Sequence, residues 1–236
     1  MTRAAALLAG LLMAASGAAA DCRQALALGL DVSGSVDARE YRLQISGIAE
    51  ALQSPEVRDK LLIMPAAPIR ILVYEWSGPE NQFVIVPWTE IGDEAALAGV
   101  IDLLAQAERR EASPGTALGQ AMRAGADHLA AQPSCWKRTL DLSGDGKSNL
   151  GPSPSDVKQS LAESGITINA LVIGVDNPST GDTREAEIGE LSSYFRAEVI
   201  LGPNAFVQTA LGYGEYARAL KAKLLRELEG IVVSRL

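Results

Sequence analysis

The sequence predicts a layered α/β fold, a doubly wound and mostly parallel sheet of six strands with helices on both faces. Three observations carry that reading. Residues 24–30, Gln-Ala-Leu-Ala-Leu-Gly-Leu, are almost wholly apolar, as a central parallel strand covered on both faces must be. Strand-like and helix-like segments then alternate along the chain, the pattern of right-handed crossover units. Polar loops rich in Asp, Ser and Gly follow two of the apolar strands, at the strand ends where such sheets bind ligands.

The elements follow in order. Asp37 and Glu40 have the spacing of a capping box, and Tyr41, Ile45, Ile48 and Leu52 share one face of the helix they open. Residues 69–76 and 82–88 are the next two strands. The link between them, Ser77 to Asn81, is too short for a parallel crossover, so the third strand runs antiparallel at an edge. A helix over 94–108 leads into the loop Ser113-Pro114-Gly115-Thr116, and the helix after it buries Leu118, Met122, Ala126 and Leu129. The fourth strand contains residues 137–142 and delivers Asp145. Residues 154–163 read as a helix, 166–173 as a strand, 185–194 as a helix and 198–201 as a short final strand. The last helix carries Phe206, Ala210, Tyr213, Ala217, Leu220, Leu224 and Leu228 at three- and four-residue steps, a stripe that faces the core.

Residues 1–20 read as an export signal: Arg3, then an apolar stretch from Ala4 to Ala15, then Ala18-Ala19-Ala20 as a cleavage site. The mature chain, residues 21–236, is read as one domain in a periplasmic or secreted location. No later segment reaches the roughly 18 apolar residues of a membrane span. With 21 basic against 29 acidic residues, a formal charge of −8 and no basic cluster, nucleic acid and anionic lipid are poor partners. Two cysteines in an exported chain favour a disulfide over a metal or catalytic role, two free thiols being the alternative. Cys22 and Cys135 each precede an apolar strand, so they can pair if those strands are parallel neighbours.

The run Asp31-Val32-Ser33-Gly34-Ser35 groups one carboxylate and two hydroxyls at a strand end, which suits a hard divalent cation that takes oxygen ligands and keeps several waters. Thr116 at a helix start and Asp145 after the fourth strand supply further oxygens. Singly these are ordinary cap and turn residues; their order and their placement at strand ends favour a shared site.

These three segments resemble the metal-ion-dependent adhesion site of the von Willebrand factor A domain. Asp31, Ser33 and Ser35 match its first motif, Thr116 its second and Asp145 its third, although Ser143-Gly144-Asp145-Gly146 stands where many such domains have Thr-Asp-Gly. Asp31 to Asp37, Trp76-Ser77-Gly78 and Gly202 to Val207 are similar to a bacterial branch of exported A-domain-like proteins without an established activity. The resemblance implies strand order 3-2-1-4-5-6, a divalent cation (magnesium, with manganese or calcium as alternatives), and a partner protein that presents Asp or Glu to it. The expected function is therefore a cation-dependent, non-enzymatic protein-binding module.

Two other functions compete: a metal-dependent hydrolase with Asp31 or Ser33 as nucleophile, and a metal-free structural protein in which the same residues tie strand ends together. Against the hydrolase, no general base accompanies the loop. His128, the single histidine, lies outside the motifs, and Gly146-Lys147-Ser148 fails the Walker pattern because Asp141 stands where a glycine is required. Lys147 reads as solvated. The loop from Asp176 to Arg184 follows the fifth strand and should rise beside the site, as a specificity loop or a plain connection.

Overall fold

The structure, a computed structural model, describes residues 22–174 and 184–229. The export signal and the loop after the fifth strand lie outside these residues. Six strands form one sheet: β1 (Cys22–Asp31), β2 (Ile69–Trp76), β3 (Gln82–Ile91), β4 (Cys135–Gly144), β5 (Thr167–Ile173) and β6 (Val207–Ala210). Their order is β3-β2-β1-β4-β5-β6, with β3 antiparallel to β2 and every other pairing parallel. The order reverses between β1 and β4, so the ends of those two strands border the crevice where ligands bind in such sheets.

Helices cover both faces. On one side lie α1 (Ala38–Gln53), α2 (Pro55–Leu62), α3 (Glu94–Ala105) and α7 (Tyr216–Glu229), packed on Leu26, Leu28 and Leu30 of β1. On the other lie α4 (Leu118–Ala130), α5 (Pro154–Ser160) and α6 (Arg184–Glu198), against Ala25, Ala27, Leu140 and Leu142. Gly29 marks a close approach within β1, since a Cβ there would lie 2.7 Å from Tyr74 Cζ and 2.8 Å from Leu142 Cδ2. Asp37 caps α1 as its spacing predicts: it accepts from the amides of Arg39 and Glu40, and Glu40 accepts from the Asp37 amide.

Cys22 and Cys135 are register partners at the start of β1 and β4 and form a disulfide, Cα atoms 4.3 Å apart. Closing a loop of 113 residues stabilises the fold by roughly 4 to 5 kcal/mol in the chain-entropy description.

Three expectations need correction. The final strand is Val207–Ala210, not 198–201; Glu198 ends α6, and Leu201 makes only an isolated antiparallel bridge to Ile168. The last helix begins at Tyr216 after a 3-10 turn over Tyr213–Glu215, so Phe206 and Ala210 of the supposed stripe are buried from a loop and a strand. The helix placed over 94–108 stops at Ala105. The sequence reading also passed over α2, which Pro55 opens from the first-turn position.

Candidate functional site

The ends of β1 and β4 carry the predicted residues. Val32 still donates its amide to Trp76 O (2.9 Å), and the next amide, of Ser33, turns back onto Asp31 Oδ1 at 2.9 Å. That local bond folds the Ser33 and Ser35 hydroxyls over the strand end. The loop lies hard against the Ser113–Thr116 segment. Gly34 donates to Pro114 O at 3.2 Å, and a Cβ at Gly34 would stand 2.9 Å from Pro114 Cα, so a larger residue would force the two loops apart. Thr116 is held from its far side by Asn149, whose Oδ1 accepts the Thr116 amide at 2.8 Å and whose own amide donates to Thr116 O at 2.9 Å.

All five predicted residues meet. Ser35 Oγ donates to Asp145 Oδ1 at 2.7 Å, Ser33 and Ser35 hydroxyls are 3.3 Å apart, and Thr116 Oγ1 donates to Ser33 Oγ at 3.4 Å. Asp31 is fully buried, Ser33 is 1% exposed and Asp145 8%, while Ser35 reaches solvent. Burial first, and then the charge of Asp145, push Asp31 up to about 7, against the opposing hydroxyl and amide of Ser33.

Tyr213 completes the group and was not foreseen. Its hydroxyl donates to Asp145 Oδ2 at 3.0 Å, and burial, followed by the Asp145 charge, holds the phenol well above its ordinary value, so it stays a donor. In the sequence Tyr213 falls in the apolar stripe; the flanking Gly212 and Gly214 are the signal that the helix has not begun there. Asn149 carried no sequence signal. Lys147 pairs on the surface with Glu190 at 2.5 Å. His128 packs on Tyr74, ring centroids 5.5 Å apart, and belongs to α4.

The donors are all oxygen: two carboxylates and three hydroxyls. Among the described residues Asp31 Oδ2 is buried without a hydrogen-bond partner, an arrangement that disfavours an ionised carboxylate until something positive meets it. Among the described residues no group of three His, Cys, Asp or Glu gathers, so a cation here would depend on hydroxyls as much as on carboxylates. That composition fits magnesium-type chemistry better than zinc, whose sites draw on nitrogen and sulfur.

The sheet order and the two helical layers give the chain a von Willebrand factor A-like fold. The chain belongs to the family described as "Protein of unknown function (DUF1194)", whose model matches residues 21–232. No curated protein matches it. Among solved structures it is similar to proximal thread matrix protein 1 from the mussel byssus (TM-score 0.61, 17% identity, 89% of this chain and 49% of that one). It is also similar to a von Willebrand factor type A protein from Catenulispora acidiphila (0.58, 17%, 88% and 43%) and to the pilus adhesin SpaC from Lactobacillus rhamnosus GG (0.60, 15%, 89% and 30%). A further structure of the mussel protein has a zinc-occupied MIDAS motif (0.59, 18%, 89% and 48%). The chain spans half or less of the length of these neighbours, and at such identities the likeness is one of fold.

Proposed function

We propose that the protein is an exported, non-enzymatic binding module in which Asp31, Ser33, Ser35, Thr116 and Asp145 hold a divalent cation, magnesium before manganese or calcium, that receives an Asp or Glu of a partner protein. The observation that carries this is the buried Asp31 Oδ2, which has no hydrogen-bond partner among the described residues, beside a second carboxylate and with hydroxyls as the other donors. A cation held in part by neutral hydroxyls keeps much of its charge for an incoming anionic oxygen. Two apolar side chains lie in the flanking loops: Leu150, 44% exposed, next to the residue that fixes Thr116, and Leu211, 49% exposed, two residues before Tyr213. Exposed leucines around a charged centre suit a protein surface more than a small substrate. The zinc-occupied motif of the mussel protein supports a cation in this type of loop without identifying the ion here.

A second reading has its own observation. Ser35, Ser33, Thr116 and Tyr213 already hydrogen-bond one another or Asp145, so the same residues can tie β1, β4 and their loops together with no ion. Thermal unfolding with magnesium or manganese and with chelator, in wild type and Asp31→Ala, decides between them. The cation should raise the melting temperature of wild type only. Equal curves for wild type in cation and chelator would leave the structural tie as the function of the loop, and cation-dependent turnover of phosphoesters or esters lost in Asp31→Ala would favour a hydrolase.

A further inference from the structure

A cavity of about 280 Å³ lies where β4 and β5 begin, beside the last turn of α7. Lys137 of β4, Thr167 of β5, Pro203 and Phe206 of the loop before β6, and Arg226 of α7 line it. This is the end of the sheet remote from Asp31 and Asp145, which stand where β1 and β4 finish. The loop belongs to the Gly202–Val207 segment, one of those that carry the likeness to exported A-domain-like proteins, and the cation site makes no use of it. Its shape is fixed from inside. Gly202 and Asn204 take left-handed φ values of 96° and 63°, and the Ala205 amide closes the turn onto Gly202 O at 3.3 Å. The Phe206 amide donates to Asn169 Oδ1 at 3.0 Å, while Asn169 Nδ2 donates to Glu227. Pro203 and Phe206 are thereby set as the apolar wall of a cavity that also holds two cations.

Both cations have donors to spare. Lys137 is half-buried, and its hydrogen bond to Glu227 O at 3.2 Å is the one it makes among the described residues. The Arg226 guanidinium carbon stands 3.8 Å from the Phe206 ring centroid, and among the described residues no acceptor meets its N–H groups. A guanidinium held by its face against a ring keeps its edge for a planar acceptor with two oxygens. The neighbouring acids do not cancel this charge. Among the described residues Glu227 is the one acid in the lining, Asp141 lies behind it, and Lys223 is paired with both. Even with both acids ionised, the three cations Lys137, Lys223 and Arg226 exceed them by one. Glu229, in the same turn of α7, has Lys60 as its own partner at 4.0 Å.

We propose that this cavity binds a small organic monocarboxylate, its carboxylate between Arg226 and Lys137 and its carbon chain against Pro203 and Phe206. One anionic charge answers the excess, and an inorganic anion would leave the apolar wall unused. A volume of about 280 Å³ falls at the small end of ligand cavities, so the acid is short. The site stands apart from the Asp31 loops and needs no cation.

The test follows the amide chemical shifts of the isotope-labelled protein while butyrate is added. Chelator is present throughout, so that no ion at Asp31 can capture the carboxylate instead. The amides of Thr167, Asn204 and Phe206 should move saturably with butyrate and stay in place with butyramide, which has the same shape and no charge. Arg226→Gln, at an exposed position and checked for an otherwise unchanged spectrum, should weaken butyrate binding by about tenfold or more. Arg226→Lys keeps the charge and loses the planar fork, so its affinity should fall between the two. Inorganic phosphate should bind more weakly than butyrate. The proposal is overturned if butyrate moves none of these amides, if butyramide matches it, if Arg226→Gln binds as wild type does, or if phosphate binds more tightly. Butyrate binding that appears only once residues 230–236 are removed would assign the cavity to the chain's own end and overturn it too.

Discussion

Two pairs of buried carboxylates lie in or beside the central strands, and the fold treats them differently. Within the sheet, Asp141 of β4 meets Lys223 and Glu227 of α7: the Lys223 ammonium contacts Asp141 Oδ1 and lies 2.7 Å from Glu227 Oε1, and Asn169 of β5 donates to the same Glu227 oxygen. At the strand ends, Asp31 and Asp145 have hydroxyls and an amide around them and, among the described residues, no ammonium or guanidinium in hydrogen-bond contact. In the inner cluster, burial would raise Glu227, but Lys223 together with bonds from Asp141 and Asn169 holds it below its ordinary value. Asp141 is pushed well above its own by burial and by Glu227, and Lys223 is raised by both acids despite burial. The inner acids thus have a buried ammonium as their counter-charge. The outer pair has no such internal answer, and this contrast gives the proposed cation its physical motive: a charge that the core neutralises with a lysine is left, at the ligand-binding end, for something from solution.

Removing the lysine should give the largest effect. Lys223→Met would strand Glu227 and Asp141 in the core, and breaking a buried ion pair from one side costs about 3 to 5 kcal/mol. Urea denaturation with Asp141→Leu added should recover part of that loss, because one fewer buried acid then lacks its partner. A loss under about 1 kcal/mol would mean that the cluster is hydrated or neutral without Lys223, and the comparison would fail on its inner side.

The outer pair should respond to ions as the inner one does not. A cation at a hundred times its dissociation constant adds about 2.7 kcal/mol if it binds only the folded state. Asp31→Ala should remove that increment and leave the cation-free fold intact, whereas Lys223→Met, though destabilised, should retain it. An increment that disappears in Lys223→Met and persists in Asp31→Ala would assign the ion to the wrong cluster.

The sequence made these two clusters unequally visible. Asp31, Ser33, Ser35 and Asp145 lie where two apolar strands end in polar loops, and Thr116 lies just before a helix, so position along the chain is enough to bring them together once the strand order is 3-2-1-4-5-6. Lys223 and Glu227 are polar residues four apart on the buried face of α7, between Leu220, Leu224 and Leu228, and charged residues inside an apolar stripe read as its solvated edge. Only the packing of α7 on β4 and β5 reveals their partners. The same helical spacing, continued backward through Tyr213, Ala210 and Phe206, hid β6: three- and four-residue steps persist by chance across a strand, a glycine-flanked turn and a helix. Asn149 and Tyr213 act on the site only in three dimensions, because each reaches it from a segment far away in sequence.

Acidity offers a sharper separation. Asp31 has a folded value of about 7, above its unfolded one. Between roughly pH 4 and 7 the cation-free folded state therefore binds a proton that the unfolded chain has released, and this residue's contribution to stability falls as pH rises through that window. A bound cation keeps the carboxylate ionised in the folded state as it already is in the unfolded one, so over that window the contribution no longer changes with pH and is lost only on acidification below the unfolded value. The difference between wild type and Asp31→Ala should therefore fall by up to about 1.4 kcal/mol per pH unit from roughly pH 4 to 7 in chelator and stay flat in saturating cation. Equal slopes in the two conditions would sever the link between Asp31 and the ion.

The smallest effect concerns Tyr213, which gives the outer pair a neutral donor where the inner pair has an ammonium. Tyr213→Phe keeps the buried ring and removes the hydroxyl that reaches Asp145 Oδ2 at 3.0 Å. A hydrogen bond to a charged group is worth roughly 1.5 to 3 kcal/mol, and one between neutral groups about 1, so a net loss of about 1 to 2 kcal/mol is expected in the absence of cation. Much of it should be specific to the pair. In a double-mutant cycle with Asp145→Ala, the coupling should reach about 1 kcal/mol, well above the few tenths found between residues that do not touch. A coupling near zero would show that the phenol packs beside Asp145 without holding it, and that the carboxylate owes its position to Ser35 and the β4 backbone; a coupling that vanishes only when cation is added would show the ion taking over the role that Tyr213 fills without it.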